Sequence, residues 1–531
     1  MAVQRVVFSY RQTGIHSLPV ELLTRIFVLG AGFDYPYADS PFLLKPEQAY
    51  APAPSSNCQV VVSHVCQHWR QVALRTPSLW TTLHFREKSH IDRAKAYLAR
   101  CTRSTSYLLD ILFDSVAEED YFPGVTLYKE EVQSIFQIII LHVKRWRSFH
   151  LKICDNDCKG LARQFLSTCG PAPNLETLQL YHFEDYRTTQ NLYLATYRPP
   201  VIVFDNSLPR LKNLSLIGVN LPWEKSPYLM NLCRLELALH PDNIRPPFRW
   251  WKRILRLSPE LKVLCLHYSG PKTPSGDQAL DWPPANDKIQ LPRLQELSLT
   301  DLDPDYLCIL LERLTLPNIQ VLTLDFPDQD YTPFLELITK RLSDVGDPPK
   351  DIIPVPQSST NIPIASLSTL TIRALECSWH SWVLFFEVIR NLRVLEVDFA
   401  RVGPGFWKIF SEDYLISDST SSKSELKSSS PILPHLEVLK ISGVSGKDIL
   451  SGLRHRYRQP GYRETCPKSR WIIGWTERRR GIDAELDALI DQGYWRTDGK
   501  EVLVVVESFD DSEIDFLDGS EEGDPETADG R

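Results

Sequence analysis

A Leu-x-x-Leu-x-Leu pattern recurs along the chain, with copies beginning at Leu175, Leu211, Leu232, Leu261, Leu294, Ile319, Leu367, Leu392 and Leu436. A weaker copy precedes them at Trp146-Arg147-Ser148-Phe149-His150-Leu151. The second half of each copy alternates apolar and polar residues. That alternation predicts a short strand with one face in a core. Stretches of helical period lie between copies, such as Phe248–Leu255 and Phe334–Leu342. Strands alternating with helices predict an α/β fold whose parallel strands stack in chain order into one array. The strand period turns Thr177, Gln179, Tyr181, Asn213, Ser215, Ile217, Ser298, Thr300 and Asp398 away from that core. Tyr181, Ile217, His267, Glu296 and Glu396 are the candidate partner-binding positions on this outward, concave face.

The N-terminal region carries a different pattern. Leu18, Leu22, Ile26, Leu23 and Phe27 fall at helical spacing, and Pro19 suits a first turn, where its missing N–H costs nothing. Val62, Val65, Trp69, Val72 and Ala73 make a second stripe. Thr76-Pro77-Ser78-Leu79-Trp80 ends that helix, and residues 81–85 read as a strand. Between the stripes, Gly30–Asn57 holds five prolines and reads as a surface insertion.

These ordered elements resemble an F-box. The carriers are Leu18-Pro19-Val20-Glu21-Leu22-Leu23 with Ile26-Phe27, then Val65-Cys66 with Trp69-Arg70, then Leu79-Trp80. The Leu-x-x-Leu-x-Leu array is similar to leucine-rich repeats. Its first leucines step by 36, 21, 29, 33, 25, 48, 25 and 44 residues, whereas regular repeats run 20–29. The Asn or Cys that usually follows the strand is replaced by residues such as Val219, His240, Ser269 and Val444, so the array reads as an irregular, degenerate solenoid. The expected organisation is a tail at 1–14, a short all-α F-box-like domain at 15–85 with its insertion at 30–57, and the solenoid at 86–465. A C-terminal cap at 466–509 and a disordered acidic tail at 510–531 follow. In the cap, Ile482, Leu486, Leu489 and Ile490 predict a helix, and Val502–Val506 a closing strand.

Charge refines this picture. The net charge is −8, yet 510–531 alone carries ten acidic residues and one basic, leaving the rest at +1. No basic stripe points to nucleic acid, and no apolar run approaches the length of a membrane helix. Eleven scattered cysteines fit reduced thiols in cytoplasm or nucleus. Tempting chemistry fails on spacing. His64, Cys66 and His68 have no second ligand pair nearby, and Cys154 with Cys158 stands alone. Ser442–Asp448 has Ile441 and Asp448 where a phosphate loop needs Gly and Ser or Thr. Trp250-Trp251 reads as a buried helix anchor, and the serine-rich 417–430 as a solvated loop. No catalytic residues, metal or cofactor are expected.

The resemblance implies a non-enzymatic subunit of a Skp–cullin–F-box ubiquitin ligase. Leu18, Pro19, Leu22, Ile26, Val65 and Trp69 would dock a Skp-family adaptor, and through it a cullin–RING ligase, while the repeats hold a protein substrate. The alternative is a scaffold or assembly factor of the same layout without a degradation target.

Overall fold

All ten copies of the leucine pattern fold as strands, each beginning at or up to two residues after the first large residue. The computed structural model describes residues 15, 18–33, 58–102, 107–115, 127–153, 156–182, 200–273, 282, 287–339, 363–402, 406–407, 433–458, 470–475, 484, 488, 494–497 and 500–508. The strands are β1 (Thr82–Phe85), β2 (Leu109–Asp114), β3 (Trp146–Ile153), β4 (Thr177–His182), β5 (Asn213–Ile217), β6 (Arg234–Ala238) and β7 (Val263–His267). The two-residue β8 (Ile289–Gln290) is followed by β9 (Glu296–Thr300), the two-residue β10 (Leu314–Thr315) and β11 (Val321–Asp330). Then come β12 (Thr369–Glu376), β13 (Val394–Asp398), β14 (Val438–Ser442), β15 (Arg470–Trp475), β16 (Tyr494–Thr497) and β17 (Lys500–Ser508).

The molecule is α/β. Fifteen described strands form one sheet in the order β1-β2-β3-β4-β5-β6-β7-β9-β11-β12-β13-β14-β15-β17-β16. Every pairing is parallel except β16 with β17, and β8 pairs β10 apart from the sheet. Register is kept by the leucines. Leu178, Leu214, Leu235, Leu264, Leu297, Leu322, Leu370, Leu395 and Leu439 lie side by side across neighbouring strands. All are buried. A one-residue slip would carry this whole row to the other face, so burial fixes the pairing. The irregular repeat lengths therefore do not disturb the sheet. The 48-residue step between Ile319 and Leu367 leaves Val321 paired with Thr369. A single hydrophobic cluster runs from Leu23 to Ile449. No described helix is long and apolar enough to cross a membrane.

Several expectations change. The strand from residue 82 belongs to the continuous sheet, so the sheet begins inside the 15–85 segment. It also continues past 465 as β15, β17 and β16. The closing strand is present as β17, whereas the 482–490 helix falls mostly outside the described residues, as do 1–14 and 510–531. The insertion starts later than Gly30. Helix α1 (Val20–Phe33) runs through it, and Gly30 packs so closely on Cys58 that a Cβ there would stand 3.2 Å from Sγ. Residues 34–57 and 417–430 lie outside the described residues. Between β5 and β6 the expected helix is replaced by the 3-10 turn Trp223–Lys225, since 21 residues per repeat leave little room for more.

The turn leaving several strands is left-handed. Gly218, Leu239, Tyr268, Asp301 and Gly443 each follow a strand directly with φ of 64°, 54°, 44°, 49° and 74°. Only the glycines adopt this without steric cost, so the stacked turns hold the others in place. The next residue points inward and is buried at Val219, His240, Ser269, Leu302 and Val444. At His240 this inward position is held by a polar side chain. His240 Nε2–H donates to the Val219 carbonyl at 3.2 Å, and Nδ1 accepts from Ser269 Oγ at 2.9 Å.

Burial holds His240 and His84 neutral, with pKa values lowered to about 3, and His90 to about 4. For a histidine lowered in this way, the folded state binds fewer protons than the unfolded chain below pH 6.5. Stability is full above that pH and falls as pH drops toward the folded value. Each such histidine adds a slope of about 1.4 kcal/mol per pH unit in that window. Denaturant midpoints taken from pH 6.5 to 4.5 should therefore fall steeply. His240→Gln should remove about one proton's worth of that slope; an unchanged slope would show that His240 is already charged in the fold.

Candidate functional site

Two surfaces stand out. The first is apolar and lies on the N-terminal helices. Helix α1 has one buried edge, Leu23 and Phe27, which packs on the core, with Phe27 4.9 Å from the Trp69 ring. Its other edge is exposed: Leu22 by 49% and Ile26 by 44%. Helix α2 (Cys58–Val65) adds Val61 at 61% and Val65 at 52%. Pro19 is exposed, its carbonyl accepting the first helical N–H bonds from Leu22 and Leu23, while Leu18 and Trp69 are half-buried against the core. So Leu22, Ile26 and Val65 stand on a surface, and Leu18 and Trp69 support it from behind. Four exposed aliphatic side chains on two adjacent helices make this face a candidate docking surface.

The second stripe is not one helix, as its spacing suggested. The chain breaks at Cys66, with φ −160° and ψ 169°, and restarts as α3 (Gln67–Leu74). The Cys66 sulfur accepts from the Trp69 N–H at 3.4 Å and caps the new helix. The Val60-Val61-Val62 run is β-branched and weakens helix continuity. In consequence His64 and His68 sit on different helices, both exposed. Leu79 and Trp80 seal this unit to the sheet. Trp80 Nε1–H donates to the Ala73 carbonyl at 2.9 Å, its ring meets Tyr97 at 4.9 Å, and Arg100 lies 4.1 Å over it. Tyr97 and Arg100 belong to α4 (Ser89–Cys101).

The second surface is the polar face of the sheet. A cavity of about 690 Å³ spans β1 to β7 there, closed on one side by Val28 and Ala31 of α1 and Gln59 of α2. Its floor is a cross-strand network. Asp110 accepts from Ser148 Oγ at 2.8 Å and from Arg147 Nε at 3.0 Å. His150 Nδ1 meets Gln179 Oε1 at 2.7 Å, and Asn213 Nδ2 donates to Thr177 Oγ1 at 3.1 Å. Ser215 Oγ donates to Glu236 Oε2 at 2.6 Å. Because neighbouring strands are in register, these groups stand opposite one another and satisfy each other.

The structure corrects two of the candidate positions. Tyr181 and Ile217 are buried, not displayed. They lie in a row, Asp114, Lys152, Tyr181, Ile217 and Ala238, that is buried throughout, with the Lys152 ammonium 5.3 Å over the Tyr181 ring. His267, Glu296 and Glu396 are half-buried on the same face, Glu396 being 3.9 Å from Lys440. None of these five lines the cavity. Arg147, Glu176 and Lys262, which do, occupy the first variable position after the leading large residue of their repeats. The leucine pattern itself marks that position, but strand alternation draws attention to the later ones. Trp251 is buried as expected, whereas Trp250 is half-buried with Arg253 5.0 Å over its ring.

Among the described residues no three His, Cys, Asp or Glu side chains converge as metal ligands. No protein-family model and no curated protein matches this chain.

Proposed function

We propose that this chain is a non-enzymatic recognition subunit of a Skp–cullin–F-box ubiquitin ligase, working in cytoplasm or nucleus. The N-terminal helices dock a Skp-family adaptor, and the sheet, as an irregular leucine-rich solenoid, holds a protein substrate. The observation that carries the reading is the exposed aliphatic row Leu22, Ile26, Val61 and Val65, set on helices whose opposite edges are anchored to a core. Such a rigid, uncovered apolar row fits a helix-packing partner. The parallel array adds a long polar face suited to a polypeptide. Ubiquitin transfer would belong to partner enzymes, and this chain would contribute proximity.

Co-expression with a Skp-family adaptor tests the docking half. Leu22→Asp with Ile26→Asp should cut co-purification by at least about 100-fold, because two desolvated carboxylates would face an apolar partner. Both side chains are exposed, so the melting transition should stay in place. Full-strength co-purification of the double variant would remove the F-box reading of this segment.

A further inference from the structure

The polar cavity differs in character from one end to the other. Near β1 the apolar Val28, Ala31 and Leu79 stand beside Gln59, Ser78, Thr81 and Thr82. In the middle its charges are matched. Asp110 pairs with Arg147, and Glu176 lies 3.8 Å from Lys212. At β6 and β7 Arg234 is ion-paired with the buried Glu236, and the uncompensated cation is Lys262. Lys262 is exposed and has no ion pair or hydrogen bond from its side chain among the described residues. Beside it, Arg234 Nε is 4.0 Å from Glu236 Oε2, beyond hydrogen-bond reach, and has no hydrogen-bond partner. The Lys262 N–H bonds the Cys233 carbonyl at 2.8 Å, so the two cations share one corner.

Length adds the second constraint. From β1 to β6 the cavity crosses five strand intervals, about 24 Å at ordinary sheet spacing. An extended chain covers that distance in about seven residues. A compact small molecule cannot touch both ends. A nucleic acid strand fits poorly, since Asp110 and Glu176 already neutralise Arg147 and Lys212 midway and leave little charge for its phosphates.

We propose that this cavity binds an extended segment of a partner polypeptide, with an acidic side chain held by Arg234 and Lys262 and an apolar side chain about seven positions away against Val28 and Ala31. The proposal rests on reading the sheet as the substrate-holding surface and names the class of segment it takes. Thr82 offers a hydroxyl to the main chain in between, and Thr177 O–H and Asn213 Oδ1 remain available beside their mutual hydrogen bond. Acidity at one end and an apolar anchor at the other fix the direction of the bound segment as well as its position.

A phage-displayed library of random dodecapeptides, panned on the full chain, tests this. The recovered peptides should share an acidic residue and a large apolar residue about seven positions apart. Lys262→Glu should weaken them at least tenfold, and panning on that variant should recover Lys or Arg at the acidic position. Val28→Asp should weaken them through the other end. Both residues are exposed, so folding is not at stake. No recovered peptides, no acidic preference, indifference to Lys262→Glu, or competition by a single-stranded oligonucleotide at equal strength would each overturn the proposal. Adaptor co-purification, measured alongside, reports separately: its loss in the unaltered chain would count against the ligase reading while leaving the peptide result standing.

Discussion

Trp146→Ala should cost about 3–5 kcal/mol of folding stability, the range for emptying a large aromatic site in a core. The indole is fully buried at the start of β3, stacked on Phe149 at 4.5 Å and edge-on to Phe204 at 5.9 Å. Phe204 heads a left-handed turn in which residues 204–206 all have positive φ, a conformation that depends on its surroundings. The indole N–H also donates to the Ile139 carbonyl at 3.2 Å, where the helix Lys129–Ile139 passes into the 3-10 turn Ile140–Arg145. Removing the ring therefore opens a void, frees a strained turn and removes a buried hydrogen bond. Trp146→Phe keeps most of the packing and should lose only about 1–2 kcal/mol. Urea midpoints of the two variants would separate packing from hydrogen bonding. A loss under 1 kcal/mol for Trp146→Ala would show that the neighbouring repeats collapse into the space.

Gly270→Ala should be nearly as damaging, at about 2–4 kcal/mol, from one added methyl group. Gly270 has φ of 140°, a region closed to other residues, and its missing Cβ is the space that Tyr306 Oη occupies. That hydroxyl donates to the Pro271 carbonyl at 2.8 Å, and the ring carries Arg245 5.3 Å over it. A double-mutant cycle isolates the collision. Tyr306→Phe alone should cost about 1 kcal/mol, yet in the Gly270→Ala background it should cost less or become favourable. Strictly additive effects would mean that backbone strain is the whole cost.

The sheet was legible because its signal is redundant. Each repeat needs its leucines for its own strand and for its neighbours' register, so all ten strands with the pattern are present. Strands β2 and β15 escaped because they lack it. Leu109–Asp114 is buried on both faces and shows no alternation of apolar and polar burial. The break at Cys66 escaped because apolar spacing runs through it unaltered, and only a thiol serves as cap. The polar face was the least readable part. Strand period says which side a residue takes but not what covers that side, and Tyr181 and Ile217 were misread for that reason. Arg234 and Lys262 stand on neighbouring repeats that the leucine pattern does place side by side, but it says nothing of the charges gathered around them.

The strand order has a consequence for synthesis. Nearly every strand of the main sheet pairs with the main-sheet strand made just before it, so during translation each one emerges beside a neighbour already outside the ribosome. Besides the outer edge of β1, the growing molecule then exposes a raw sheet edge that moves along as the chain lengthens. β17 breaks this rule: it skips β16 to join β15, and β16 folds back antiparallel along it. The final edge is thus a four-residue strand, too short to recruit another chain readily. Chains halted before residue 494 lack that guard, and they should be the species that aggregates when translation is interrupted.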